Sequence, residues 1–127
     1  HSLDSIALLD QLTKSWETDI TNEDRKPLST FVEVNLSDEE QKYGIKKQEL
    51  KTFLNYARNY SAVEISGLMT VPPKTDNPEQ IRPIFRELYE LANIHGLKHL
   101  SMGMTDDYRV AIEEGATIIR VGRAFFE

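Results

Sequence analysis

The sequence holds 127 residues, enough for one domain or part of one with a real apolar core. Its formal net charge of −6 argues against nucleic acid or an anionic membrane surface as partner, and no apolar run approaches membrane-spanning length. The absence of cysteine removes disulfides, a thiolate nucleophile and a zinc–cysteine site, the three histidines are scattered, and a reducing cytoplasm fits this composition.

In chain order, Asp4 or Ser5 can cap a first helix that carries Ile6, Leu9, Leu12 and Trp16 on roughly one side. Residues 18–28 form a charged connection without periodicity and read as a surface loop. Phe31, Val32 and Val34 make 29–35 strand-like. At its end Asn35 offers a donor and an acceptor to a ligand, or else closes the strand as a turn residue. From 47 to 59 the spacing of Leu50, Phe53, Leu54 and Ala57 predicts a helix lying on the outside of a sheet or barrel. Residues 63–71 read as a further strand stopped by Pro72 and Pro73; its Met69 can pack near a cofactor ring or serve as ordinary core.

Asn77, Pro78 and Gln80 then give a helix-start pattern, with Ile81, Ile84, Phe85, Leu88 and Ala92 on the buried face and Gly96 as the stop. Pro83 requires that this helix bend or begin its regular part later. The stretch from His99 to Arg123 reads as strand, tight loop, helix, strand and tight loop. Thr105 is expected to cap a short helix whose first turn carries Asp106 and Asp107, with Tyr108, Ala111 and Ile112 on one face and Gly115 at its end. Ends of consecutive parallel strands lie side by side, so the loops around Gly103 and Gly122 converge on one point. That point can bind an anion through backbone N–H groups and the side chains of Thr105 and Arg123; alternatively the two glycines serve only tight turns. The alternation of strands with helices gives an α/β fold with a parallel sheet. Spacing alone does not separate a β/α barrel from a doubly wound sheet.

Ser101-Met102-Gly103-Met104-Thr105-Asp106-Asp107, Gly115-Ala116-Thr117 and Ile119-Arg120-Val121-Gly122-Arg123-Ala124-Phe125-Phe126 resemble the signature of the YggS/PROSC family of pyridoxal phosphate homeostasis proteins. His1-Ser2-Leu3-Asp4-Ser5, Glu33-Val34-Asn35 (family Gln-Val-Asn), Glu40-Gln41-Lys42-Tyr43-Gly44-Ile45 (close to the family's Lys-Ser-Gly loop) and Gly67-Leu68-Met69 resemble further motifs in the same order along the whole chain. The resemblance implies the (β/α)8 TIM barrel of the alanine racemase N-terminal domain type. Residues 1–127 are then a single partial domain, the C-terminal half running from the end of the fourth strand through the eighth. The N-terminal half, with the lysine that holds pyridoxal 5′-phosphate (PLP) as a Schiff base, is expected upstream of this sequence, and a complementary half chain is the expected partner. Lys42 is rejected as that lysine, because the family's lysine belongs to the first strand.

By motif, the resemblance implies that the hydroxyl and N–H of Thr105, where the family prefers serine, hold the cofactor phosphate with the N–H groups of Gly122 and Arg123. Arg120 is the expected partner of the pyridine nitrogen, with a structural ion pair as the alternative, and Met104, Asn35 and Met69 complete the implied cofactor-binding set. Arg123 stands where the family has threonine and Glu127 where it has glycine. No catalytic residue and no metal ligand is assigned. The function implied is cofactor carriage and buffering in the cytoplasm, not catalysis. The rivals are a PLP-dependent racemase or decarboxylase barrel and a phosphate-binding barrel enzyme without PLP. Alone, the chain is expected to bind phosphate weakly at Thr105, Gly122 and Arg123 and not to hold PLP covalently.

Overall fold

The computed structural model describes residues 2–18, 26–37 and 43–122. Among these, strands β1 (Ser2–Leu3), β2 (Leu28–Asn35), β3 (Ile45–Lys46), β4 (Val63–Met69), β5 (His99–Met104) and β6 (Ile118–Arg120) alternate with helices α1 (Ile6–Thr18), α2 (Leu50–Ala57), α3 (Arg82–Ile94) and α4 (Tyr108–Glu113). Every pairing is parallel. The order is β1-β2-β4-β5-β6, with β3 at the carboxyl end of β2.

One apolar cluster joins all four helices to the sheet. Leu9 of α1, Phe53 and Leu54 of α2, Phe85 and Leu88 of α3 and Ala111 of α4 share it with Val32, Val34, Leu68, Leu100 and Met102. Each fully buried Leu or Phe here contributes about 1.5–3 kcal/mol. The helices therefore cover one face only, and neighbouring strands follow chain order. A doubly wound sheet reverses its strand order and carries helices on both faces; this sheet does neither. The arrangement is that of part of a β/α barrel.

Local chemistry sets the element ends. The Ser5 hydroxyl accepts the Leu8 N–H at 3.1 Å, which starts α1. The Trp16 indole N–H donates to the Lys26 carbonyl at 3.2 Å, which holds the approach to β2 against α1; residues 19–25 lie outside the described residues. Asn77 Oδ1 accepts the Glu79 N–H at 3.1 Å and opens a 3-10 turn, Pro78–Ile81. The regular helix α3 begins only at Arg82, so Pro83 falls in its first turn, where a missing N–H costs nothing. Gly96, with φ +70°, follows its end. Helix α2 is shorter than the spacing predicts because Lys47–Glu49 form a 3-10 turn ahead of it.

Two apolar positions differ from expectation. Ile6 and Ile112 are 47% and 51% exposed. Ile6 opens α1 and Ile112 lies at the end of α4, while Leu9, Val110 and Ala111 supply those helices' buried contacts with the core.

Register places a second set of side chains on the face away from the helices. Phe31 pairs with Gly67 and Gly67 with His99, and the Phe31 and His99 rings stack across that glycine at 6.3 Å. The next row is Glu33, Met69, Ser101 and Ile118.

Candidate functional site

The carboxyl ends of β4, β5 and β6 and the loops that follow them enclose a cleft of about 800 Å³. This lies within the range of small-molecule sites, about 300–1,000 Å³. Met104, Thr105, Asp107, Arg120 and Gly122 line it from the β5 and β6 side, and Pro72, Lys74 and Thr75 from the loop after β4. Among the described residues a Cβ added at Gly122 would meet nothing within 4 Å, so on this side the glycine borders the cleft. Gly103 is different. With φ +100° it lets α4 approach β5 so closely that a Cβ would lie 2.7 Å from the Ala111 methyl. Of the two glycines, Gly103 serves packing and Gly122 borders the cleft.

Arg120 ends β6, and its side chain reaches back across β5. One Nη donates to the Thr70 carbonyl at 2.9 Å. Its Nε is buried without a hydrogen-bond partner among the described residues, as is the Ser101 hydroxyl. Burial works against the charge of Arg120, while Glu33 and Asp107 favour it. Glu33 is held above the ordinary carboxylate range by burial and by Asp4, against the pull of Arg120. The site is thus a cation between two carboxylates, with undirected donor capacity at the guanidinium.

The turn after β5 departs from the expected cap. Asp107, not Thr105, immediately precedes α4, and Thr105, Asp106 and Asp107 all lie before the helix. The Asp107 carboxylate accepts the Met104 N–H at 2.6 Å and its own N–H donates to the Met104 carbonyl, which closes a tight turn and delays the first helical residue to Tyr108. Thr105 is left on the loop, half-buried and lining the cleft. A neighbouring hollow of about 500 Å³ shares Thr105, Asp106 and Asp107 with the cleft; beyond these its charged lining is Glu79 and Glu113 against Arg109, whereas the cleft sets Lys74 and Arg120 against Asp76, the better lining for an anion.

The structure therefore brings together Met104, Thr105, Arg120 and Gly122. It does not bring Asn35 or Met69 to the same wall. Asn35 Oδ1 accepts the Ser37 N–H at 3.0 Å and its hydroxyl at 2.9 Å, the turn arrangement. Met69 is buried between Glu33 and Ser101, just below the cleft. Arg123 and Lys42 lie outside the described residues. Sequence reasoning missed Thr70 and Lys74. The first follows the matched Gly-Leu-Met run directly, and the second sits in the turn-rich loop that forms the far wall. Among the described residues no helix is long and apolar enough to cross a membrane.

A family model described as alanine racemase, N-terminal domain, matches residues 1–127. A pyridoxal phosphate homeostasis protein of Aquifex aeolicus is 42% identical over 99% of this chain and 56% of its own length. One from Haemophilus influenzae is 35% identical, over 99% and 54%. The chain thus spans about half the length of the curated relatives it matches. Among solved structures, PipY of Synechococcus elongatus with PLP bound superimposes with a TM-score of 0.81 at 28% identity, covering 100% of this chain and 59% of that one.

Proposed function

Since the chain belongs to the alanine racemase N-terminal domain family, we propose that it is the phosphate-binding part of a PLP homeostasis protein, one that carries and buffers the cofactor without turning over a substrate. The observation that carries this reading is the convergence of Thr105, Gly122 and Arg120 on one cleft at the ends of β5 and β6. The names of the relatives and the PLP in PipY agree with it.

The residues present fit the group. The Arg120 Nε supplies a donor that no atom of the described residues uses, and among those residues the open space at Gly122 gives access to backbone N–H groups. In this reading the hydroxyl and N–H of Thr105 and the N–H of Gly122 hold the phosphate, with Arg123 adding a further donor. Met104 borders the ring side and Met69 supports it from below, while Asn35 closes the turn after β2 with Ser37. Bound PLP supplies an electrophilic carbonyl that captures amines. Arg120 is a cation at all working pH values, so it keeps a facing ring nitrogen unprotonated by like-charge repulsion. The ring is then a weak electron sink, which suits storage better than transamination.

The same reading equates β1 with the end of the fourth barrel strand and β2, β4, β5 and β6 with the fifth to eighth. The lysine that anchors the cofactor belongs to a first strand not among these residues, and the segment bearing it is this chain's complement. A cytoplasmic location goes with cofactor buffering.

Titration of the wild-type chain, Thr105→Val and Arg120→Met with PLP and with inorganic phosphate tests the proposal. Thr105→Val is expected to weaken both ligands at least about tenfold, as for loss of one charge-assisted hydrogen bond. Arg120→Met is expected to weaken PLP alone. Wild-type affinity no greater for PLP than for inorganic phosphate would refute the reading.

A further inference from the structure

We infer that Thr70 is the positioning residue for Arg120, a clamp that ties the carboxyl ends of four strands and aims the guanidinium into the cleft. The inference rests on the cofactor reading above for its functional meaning, but not for its geometry. Thr70 follows β4 and is 1% exposed. Its three polar groups go to three different strands. The N–H donates to the Ser101 carbonyl of β5 at 3.3 Å, the hydroxyl donates to the Val34 carbonyl of β2 at 2.9 Å, and the carbonyl accepts from Arg120 of β6 at 2.9 Å.

The hydroxyl has a task the backbone does not perform. The β2–β4 ladder ends at the pair Glu33 and Met69, beyond which Val34 and Asn35 pair with β3 instead. The buried Val34 carbonyl on the β4 side then depends on a side-chain donor, and Thr70 supplies it. Without that bond, the segment carrying the Thr70 carbonyl loses its hold on β2. Arg120 is the residue that feels this, because the Thr70 carbonyl is the acceptor that fixes its guanidinium while the Nε stays unpartnered.

Thr70→Val preserves the branched shape and deletes the donor; Thr70→Ser restores it. The Arg120 Nε–H cross-peak is read by NMR on the ligand-free chain, with the dispersion of the backbone amide spectrum as the check on folding. In the wild type it is expected to exchange slowly, as a buried group does. Thr70→Val is expected to shift it and to raise its exchange rate at least about tenfold, the usual consequence of losing a buried hydrogen bond. Thr70→Ser is expected to behave as wild type, and Thr70→Ala gives the same readout should the valine variant not fold. In a parallel titration, Thr70→Val is expected to weaken PLP about 5–10-fold and inorganic phosphate less than twofold. An unchanged Arg120 signal in a folded Thr70→Val chain would overturn the clamp, and so would equal losses for PLP and phosphate. Failure of the wild type to prefer PLP would instead refute the cofactor reading, and the ligand-free Arg120 signal would still decide for or against the clamp.

Discussion

Gly103→Ala is the most informative single perturbation of the fold that carries the site. The glycine has φ +100°, and its added Cβ would stand 2.7 Å from the Ala111 Cβ and 3.1 Å from the Tyr108 Cα. A left-handed backbone costs an alanine about 1–2 kcal/mol. Forcing a methyl against a helix backbone costs about 1–3 kcal/mol more. The stiffer unfolded chain returns about 0.4–1 kcal/mol. The net expectation is a loss of about 2–4 kcal/mol, or a fall in Tm on the order of 10 °C for a chain of this size. Urea unfolding followed by circular dichroism measures it. Ala111→Gly removes the nearest obstacle, so in the Gly103→Ala background it is expected to recover about 1 kcal/mol, although alone it destabilises α4 by about that amount. A loss below about 1 kcal/mol for Gly103→Ala, or strict additivity of the pair, would refute the reasoning.

Glu33 has its pKa raised by burial and by Asp4, so its carboxylate form is disfavoured in the fold and stability falls as pH rises through the folded value. Glu33→Gln is therefore expected to stabilise the chain near pH 7 by less than about 1 kcal/mol, solvent screening included, and to be neutral near pH 4, as thermal melts at the two pH values would show. Arg82 binds Glu79, Glu113 and Glu114 and so ties the start of α3 to the end of α4. Arg82 holds Glu79 below the ordinary carboxylate range, and Arg86 with Arg82 does the same for Glu114. The stabilisation is thus present above that range and lost as pH falls through the lowered values. Arg82→Met is expected to lower Tm at low salt, and the difference is expected to vanish at about 1 M salt and in acid; a difference that persists in both would contradict the electrostatic account.

The helices and strands were legible because their apolar spacing is strong, as at Phe53, Leu54 and Ala57 or Phe85, Leu88 and Ala92. The choice of barrel over doubly wound sheet was not legible in spacing, since a βα unit buries its helix the same way whichever face it takes. The family resemblance implied the barrel, and the single cluster and the sequential strand order make that distinction in the structure. Pro83 announced a late helix start but not the 3-10 turn that precedes it. At the site, the turn-forming and β-branched residues around Thr105 and Gly122 located the cleft. The cap was assigned to Thr105 because threonine caps well, yet the N–H of Asp107, which such a cap would accept, donates to the Met104 carbonyl, and the Asp107 carboxylate accepts the Met104 N–H at 2.6 Å and closes the turn ahead of the helix. Thr70 was invisible for a different reason: its partners Val34 and Arg120 are 36 and 50 residues away, and nothing in the local sequence marks a long-range clamp.

The central claim is that one cleft at the ends of β5 and β6 holds a phosphate on Thr105 and Gly122 and a ring beside Arg120. Chemical-shift mapping of the chain during titration with PLP, and separately with inorganic phosphate, tests it most directly. The account predicts that both ligands move the Thr105 and Gly122 amides and that PLP alone moves the Arg120 Nε–H. Shifts confined to other surfaces, or an Arg120 signal indifferent to PLP while the amides respond, would contradict it.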